Sequence, residues 1–120
     1  MVRNTLLDLL PDITDPTGQI TQADSQRIAL QPGYYLVSYK VSAIFTSPNY
    51  LQVTPSYNGA SRLEYGVYFA ANSAGSSACG SGFFIIRAPA ATVLTFTYSG
   101  SADARDGETN VTILKLNRPL

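Results

Sequence analysis

The sequence predicts an all-β domain built as a sandwich or a barrel. A turn at Pro32-Gly33 opens a long run of β-branched and aromatic residues, which are typical of strands. Asn58-Gly59 is the strongest hairpin signal in the chain, because both central residues of a type I′ turn need positive φ. No segment of useful length follows the helical period, and Thr5 to Leu10 is too short. Roughly eight or nine short strands separated by turn residues favour a sandwich or a barrel.

The long strand after Pro32-Gly33 predicts two different surfaces. Side chains alternate across a strand, so one face carries only apolar and aromatic residues and predicts the core. The residues of that face are Tyr35, Val37, Tyr39, Val41, Ala43 and Phe45. The second face places Tyr34, Leu36 and Ile44 among polar residues. This second face is too apolar to be covered by water alone. We therefore predict that copies of the domain cover part of its surface.

Four short segments flank this strand. Asn4 to Leu10 is an apolar run closed by Pro11, and Gln19 to Thr21 and Gln26 to Leu30 predict two more short strands. Tyr50 to Tyr57 predicts the strand before the hairpin. Its Pro55 indicates an edge strand or a bulge, because proline cannot donate to a ladder.

The segments after the hairpin begin with Arg62 to Phe69, predicted as its return strand with Leu63, Tyr65, Val67 and Phe69 on one face. Asn72 to Gly82 is rich in Gly, Ser and Ala and predicts a mobile loop that contains Cys79. Phe83 to Ile86 is continuously apolar and indicates a strand buried on both faces, either at an assembly axis or beneath long loops of one subunit.

The last third of the chain predicts two strands joined by a polar loop. Val93 to Tyr98 alternates cleanly, with Leu94, Phe96 and Tyr98 inward. Ser99 to Gly107 is the predicted loop, and Thr109 to Leu116 is the closing strand. We assign Phe84 and Ile86 to the core with the alternating strand, which leaves Phe83 and Ile85 to face neighbouring subunits.

Composition predicts a single domain over residues 1–120, with residues 1–18 as an N-terminal extension that includes the first short strand. Charged residues make up 13% of the chain, against about 25% in a typical soluble domain. A polar but weakly charged coat is compatible with an extracellular protein, a glycan-facing protein or an oligomer. Eight acidic residues balance eight basic ones, so we expect neither nucleic-acid binding nor membrane insertion.

The side chains that carry catalysis are sparse. The chain has no histidine and one cysteine, Cys79, so an intramolecular disulfide, the usual zinc sites and histidine-based acid–base catalysis are excluded. We therefore expect no catalytic residues, no cofactor and no metal. Asp103, Asp106 and Glu108 could supply oxygen ligands for a weak calcium site, or form a solvated acidic loop with Arg105 as counter-charge. We expect Cys79 to be a small, partly buried residue, and its role stays open.

The order and spacing of four segments resemble a known domain. Pro32 to Ser42, the Asn58-Gly59 hairpin, Phe84 to Tyr98 and Val111 to Leu116 are together similar to the C-terminal globular domain of bacterial collagen-like spore-surface (exosporium) glycoproteins. That domain belongs to the jelly-roll group of tumour necrosis factor and the complement globular heads. The resemblance covers about Ile20 to Leu116.

The resemblance implies a TNF-like jelly-roll β-sandwich that forms a homotrimer, with a place at the tip of a Gly-X-Y stalk on a cell or spore surface. We expect Tyr34, Leu36, Phe83, Ile85 and Ile113 in the trimer interface. The expected function is a non-enzymatic, extracellular trimerisation head whose main partner is itself, with surface glycans or surface-layer proteins as further partners. The alternative is a trimeric module that binds a carbohydrate or a receptor, as in a TNF-like lectin or a phage fibre head. No Gly-X-Y repeat occurs in the sequence, so the stalk rests on the resemblance alone.

Overall fold

The computed structural model describes all 120 residues and contains ten β-strands and one 3-10 helix. The strands are β1 (Thr5–Leu6), β2 (Ile20–Gln22), β3 (Ile28–Leu30), β4 (Gly33–Phe45), β5 (Asn49–Tyr57), β6 (Ala60–Ser61), β7 (Val67–Ala71), β8 (Ser77–Ala88), β9 (Thr92–Ser99) and β10 (Ala104–Leu116). The 3-10 helix covers Leu63–Tyr65. No helical segment is long and apolar enough to cross a membrane. The prediction of an all-β chain is confirmed.

The strands form two antiparallel sheets, an arrangement compatible with a β-sandwich. The larger sheet has seven strands in the order β2-β3-β9-β5-β6, with β1 also paired to β9 and β7 also paired to β5. The smaller sheet has three long strands in the order β10-β4-β8. Every strand pair is antiparallel.

One hydrophobic core joins the inner faces of the two sheets. All six residues predicted for the core face of the long strand are buried, and so are Leu94, Phe96 and Tyr98 on β9. Phe84 stacks between the rings of Tyr57 and Tyr65, with centroids 5.7 and 5.1 Å away. The hydroxyl of Tyr39 donates to the carbonyl of Tyr65 at 2.5 Å. These contacts hold the 3-10 helix against one side of the core.

The predicted loop from Asn72 to Gly82 is wrong over its second half, because Ser77 to Gly82 belongs to β8. Gly80 and Gly82 occupy inward positions, opposite Val41 and Tyr39. A Cβ on Gly82 would lie 2.3 Å from the ring of Tyr39. The glycines therefore make room for neighbouring side chains between the two sheets, and are not a sign of a flexible loop.

The predicted return strand from Arg62 to Phe69 is correct over Val67 to Phe69, which belong to β7 and pair with β5, and wrong over Arg62 to Gly66. The hairpin turn itself is confirmed, with φ of 51° at Asn58 and 75° at Gly59. Its return strand β6 ends at Ser61, and the 3-10 helix separates β6 from β7.

Pro55 lies in a central strand, since β5 pairs with β9 on one side and with β6 and β7 on the other. The prediction of an edge position is therefore wrong. The carbonyl of Pro55 accepts from the backbone N–H of Arg62, at the point where β6 and β7 are interrupted. The proline nitrogen thus faces a gap between β6 and β7, where no strand requires a backbone N–H donor.

The closing strand begins earlier than the sequence predicts, since most of the polar segment Ser99 to Gly107 belongs to β9 or β10. β10 contains a bulge between Arg105 and Glu108, where Asp106 has a φ of 51°. A bulge inserts residues into one strand and so changes which face the later side chains occupy. Ala104 faces inward before it, and Thr109, Val111 and Ile113 lie in register with core residues after it.

Candidate assembly surface

The outer face of the three-stranded sheet carries a cluster of apolar side chains at one end. Directly paired residues of antiparallel strands share a face, and Leu36 on β4 is flanked by Ile85 on β8 and Leu114 on β10. One row away, Tyr34 is flanked by Arg87 and Leu116. Phe83 lies beside Ser38 on the other side of Leu36. We call this group the assembly surface: Tyr34, Leu36, Phe83, Ile85, Leu114 and Leu116.

The most protruding members of the assembly surface are well exposed in the single chain. The relative exposure is 68% for Phe83, 52% for Ile85 and 56% for Leu114. Scattered apolar residues are normal on a surface, whereas a contiguous group marks an interaction site. The alternative that long loops of the same subunit cover both faces of Phe83 to Ile86 is therefore wrong. Phe84 and Ile86 are buried, as assigned, and their neighbours point to solvent.

The other end of the same outer face is mostly polar, with Ile44 between Ser77 and Arg105. Lys40 lies between Ser81 and Asn110, and Ser42 lies between Cys79 and Glu108. The three long strands therefore present an apolar half and a polar half along one surface. The guanidinium of Arg118 sits 4.4 Å from the ring centre of Tyr34 and borders the apolar half.

The assembly surface continues to an unpaired strand edge. β10 pairs with β4 on one side, and no strand of this chain pairs with its other side. A groove of about 660 Å³ runs along that edge. Its walls are Thr14 to Thr17, Gln19, Ile20 and Ile113 to Asn117. An open edge with apolar side chains is a template for pairing with another strand.

Ile113 lies apart from the other four residues expected in the interface. Tyr34, Leu36, Phe83 and Ile85 share the outer face, whereas Ile113 is in register with Val37 and packs against the core. Sequence reasoning missed Leu114 and Leu116, which take the outer positions on β10. Val111 to Leu116 has four apolar residues among its six positions and does not alternate strictly, so its pattern does not show which side chains face the core. The bulge that sets the phase is marked in the sequence only by Asp106-Gly107.

The three carboxylates considered for calcium are not gathered into a ligand cluster. The Oδ1 of Asp103 accepts from the backbone N–H of Arg3 at 2.9 Å, and Asp106 forms an ion pair with Arg105 at 2.9 Å. Glu108 extends from β10 beside Ser42. No group of three or more histidine, cysteine or acidic residues is positioned to hold a metal ion. Cys79 is exposed on the outer face of β8, which corrects the partly buried position expected for it.

Two groups with shifted pKa values, Tyr39 and Asp15, form hydrogen bonds within the fold. Burial raises the pKa of Tyr39 from 10.0 to about 12. Hydrogen bonds from the hydroxyl and backbone of Thr17, with others from Ile20 and Gln19, lower the pKa of Asp15. Asp15 organises the turn before β2 through these bonds. Neither group faces a partner that suggests proton transfer to a substrate.

The chain matches no protein-family model and has no significant sequence match among curated proteins.

Proposed function

We propose that this chain is a non-enzymatic, TNF-like jelly-roll head that assembles into a homotrimer through its three-stranded sheet. The observation that carries the proposal is the assembly surface, where Phe83, Ile85 and Leu114 are exposed together on a chain with few charges. Burying a phenylalanine or leucine side chain contributes roughly 1.5–3 kcal/mol. In a three-fold assembly, each such residue contributes once per subunit.

The order of strand pairing supports the jelly-roll part of the proposal. β5 pairs with β7, β4 with β8, and β3 with β9, so each pair encloses the previous one along the chain. Such nesting is what results when one long antiparallel ribbon wraps around a core, as in the jelly roll. β10 is left with an unpaired edge beside the assembly surface, which a strand from another copy or from further chain would cover.

The trimeric state, the stalk and the extracellular location come from the resemblance to collagen-like spore-surface glycoproteins. The weakly charged coat of Ser, Thr, Asn and Gln supports a surface location. In this function the domain holds three chains together at the end of a fibre, and its principal partner is itself. Nucleic acid and the membrane interior have no part in it.

A matched pair of variants tests the proposal. Phe83→Asp would bring one unpaired carboxylate from each subunit into an apolar interface, which is strongly unfavourable. Because Phe83 is exposed in the single chain, we expect this variant to fold as a monomer. Val93→Asp is the control, since Val93 is an exposed apolar residue on the outer face of the larger sheet. It should keep the wild-type mass.

The measurement is light-scattering mass after gel filtration, with circular dichroism to confirm the β fold. A Phe83→Asp protein with the same oligomeric mass as the wild type would contradict the assignment of the interface. Loss of assembly in Val93→Asp but not in Phe83→Asp would move the interface to the other sheet.

A further inference from the structure

We propose that the outer face of the larger sheet binds a neutral glycan chain. The site is a row of four residues that we call the tyrosine platform: Tyr50 and Gln52 on β5, Tyr68 on β7 and Ser99 on β9. Gln52 is in register with Tyr68 on one side and with Ser99 on the other. Tyr50 alternates with the core residue Leu51 and so shares their outer face.

The two tyrosines provide an aromatic surface of the kind that sugars contact. Their ring centres are 5.7 Å apart with an angle of 25° between the planes, so the rings stack. Tyr68 is 65% exposed, which leaves one ring face open to solvent. A pyranose ring has a face of C–H groups, and these pack against the electron-rich face of an aromatic ring.

The polar members of the platform are placed to hydrogen-bond sugar hydroxyls. The Gln52 amide both donates and accepts, and the Ser99 hydroxyl does the same. Neighbouring strands are about 4.8 Å apart, so the row from Tyr68 to Ser99 spans about 10 Å. That length matches roughly two pyranose units and suits a chain better than a single sugar.

The charge of this face selects a neutral ligand. The outward positions of β5, β7 and β9 carry no aspartate, glutamate, lysine or arginine. They are occupied by Tyr50, Gln52, Thr54, Ser56, Tyr68, Ala70, Val93, Thr95, Thr97 and Ser99. A charged ligand would lose hydration here without meeting a counter-charge, whereas a neutral glycan would not.

A buried amide holds the platform in place. The Oδ1 of Asn49 accepts from the backbone N–H of Tyr50 at 2.8 Å and of Ser101 at 3.0 Å. Its Nδ2 donates to the hydroxyl of Tyr98 at 3.1 Å and to the carbonyl of Ala102 at 3.0 Å. The start of β5 is thereby fixed to the loop that follows Ser99. A rigid support of this kind reduces the entropy lost when a ligand binds.

This site goes beyond the assembly function and does not depend on it, because the platform and the assembly surface lie on different sheets. The test is an NMR titration of ¹⁵N-labelled protein with cellohexaose and with chitohexaose. We expect a dissociation constant on the order of 1 mM, since an open face contacts one side of the ligand only. The amide shifts should map to residues 50–52, 68–70 and 97–99.

Three variants identify the contacts. Tyr68→Ala should weaken binding at least about tenfold, and Tyr68→Phe, which keeps the ring, should stay within about threefold of the wild type. Phe69→Ala is the control, because Phe69 is the next residue on β7 and pairs with the core residue Leu51. It should retain binding, and a melting curve for each variant separates lost affinity from lost fold.

The proposal is overturned if neither sugar shifts these amides at about 10 mM, or if the shifts map elsewhere. It is also overturned if Tyr68→Ala and Phe69→Ala weaken binding equally, or if only an anionic heparin hexasaccharide binds. A monomeric wild-type protein would contradict the assembly function and leave the glycan site unaffected.

Discussion

The outer faces of the two sheets differ in what their strands present to solvent. The smaller sheet exposes Phe83, Ile85 and Leu114 in one group, whereas the larger sheet exposes hydroxyl and amide groups around Tyr50 and Tyr68. Both inner faces are largely apolar and meet in one core. The inner faces therefore account for folding, and the difference between the outer faces separates a surface suited to a second protein copy from one suited to a neutral ligand.

The largest change in the free energy of unfolding should distinguish the two faces of β8. Phe84 is buried between two tyrosine rings, so Phe84→Ala should lower the free energy of unfolding by about 3–5 kcal/mol. Its exposed neighbour is tested by Phe83→Ala, which should cost the subunit less than about 1 kcal/mol. Both are measured by urea unfolding in an Ile85→Asp chain, which we expect to be monomeric. Equal losses would contradict the assignment of the two faces.

A smaller effect tests the inner face of β8 at its glycines. Gly82→Ala places a Cβ against the ring of Tyr39, and such overpacking typically costs about 1–3 kcal/mol. Ser81→Ala, one residue away on the exposed face, should change the free energy of unfolding by less than about 0.5 kcal/mol. If Gly82→Ala is as neutral as Ser81→Ala, residues 77–82 form the loop that their composition suggests.

The buried tyrosines predict how stability depends on alkaline pH. Burial raises the pKa of Tyr39 from 10.0 to about 12. A raised pKa in the folded state means that the neutral form contributes stability fully below pH 10.0, and that this contribution is lost as the pH rises through about 12. The melting temperature should therefore fall over this range, and less steeply in Tyr39→Phe. An identical slope in Tyr39→Phe would assign the decline to other groups.

The smallest effect should come from the cysteine. Cys79 is exposed on the polar half of the outer face and has no disulfide partner in the chain. Cys79→Ser should change the free energy of unfolding by less than about 1 kcal/mol. Non-reducing gels should show no obligatory cross-linked chains, and their appearance would give Cys79 a structural function in the assembly.

The parts of the fold that sequence predicted well are those where the side-chain pattern has a clear period. Tyr35 to Phe45 and Leu94 to Tyr98 alternate strictly, and their core faces are confirmed residue by residue. The Asn58-Gly59 turn was predictable because its backbone conformation demands these residue types.

The errors arise where local composition and tertiary packing disagree. The composition around Gly80 and Gly82 is typical of a loop. In the fold these glycines lie in a strand, because Val67 and Tyr39 occupy the space that their side chains would fill. Leu63 and Tyr65 fit a strand pattern, but they form a 3-10 helix, in which Tyr65 stacks on Phe84. These placements depend on partners distant in sequence, which a local pattern does not reveal.

The candidate assembly surface was predictable in part. Tyr34 and Leu36 follow from the alternation of β4, and Phe83 and Ile85 on β8 follow once Phe84 and Ile86 are assigned to the core with the alternating strand β9. Ile113 and Leu114 could not be told apart, because both are apolar and the bulge between Arg105 and Glu108 decides which of them faces outward. The tyrosine platform could not be predicted without the register of β5 with β7 and β9, because Tyr50 and Tyr68 lie on different strands.

The solution mass of the wild-type protein distinguishes a homotrimer from a monomer. Sedimentation equilibrium over a dilution series to low micromolar concentration reports the mass without reference to shape. We expect about 39 kDa throughout, three times the chain mass of 12.9 kDa, because a tight homotrimer should not dissociate on dilution. A mass of 12.9 kDa at all concentrations would contradict it, and would leave the apolar outer face of the smaller sheet without its proposed partner.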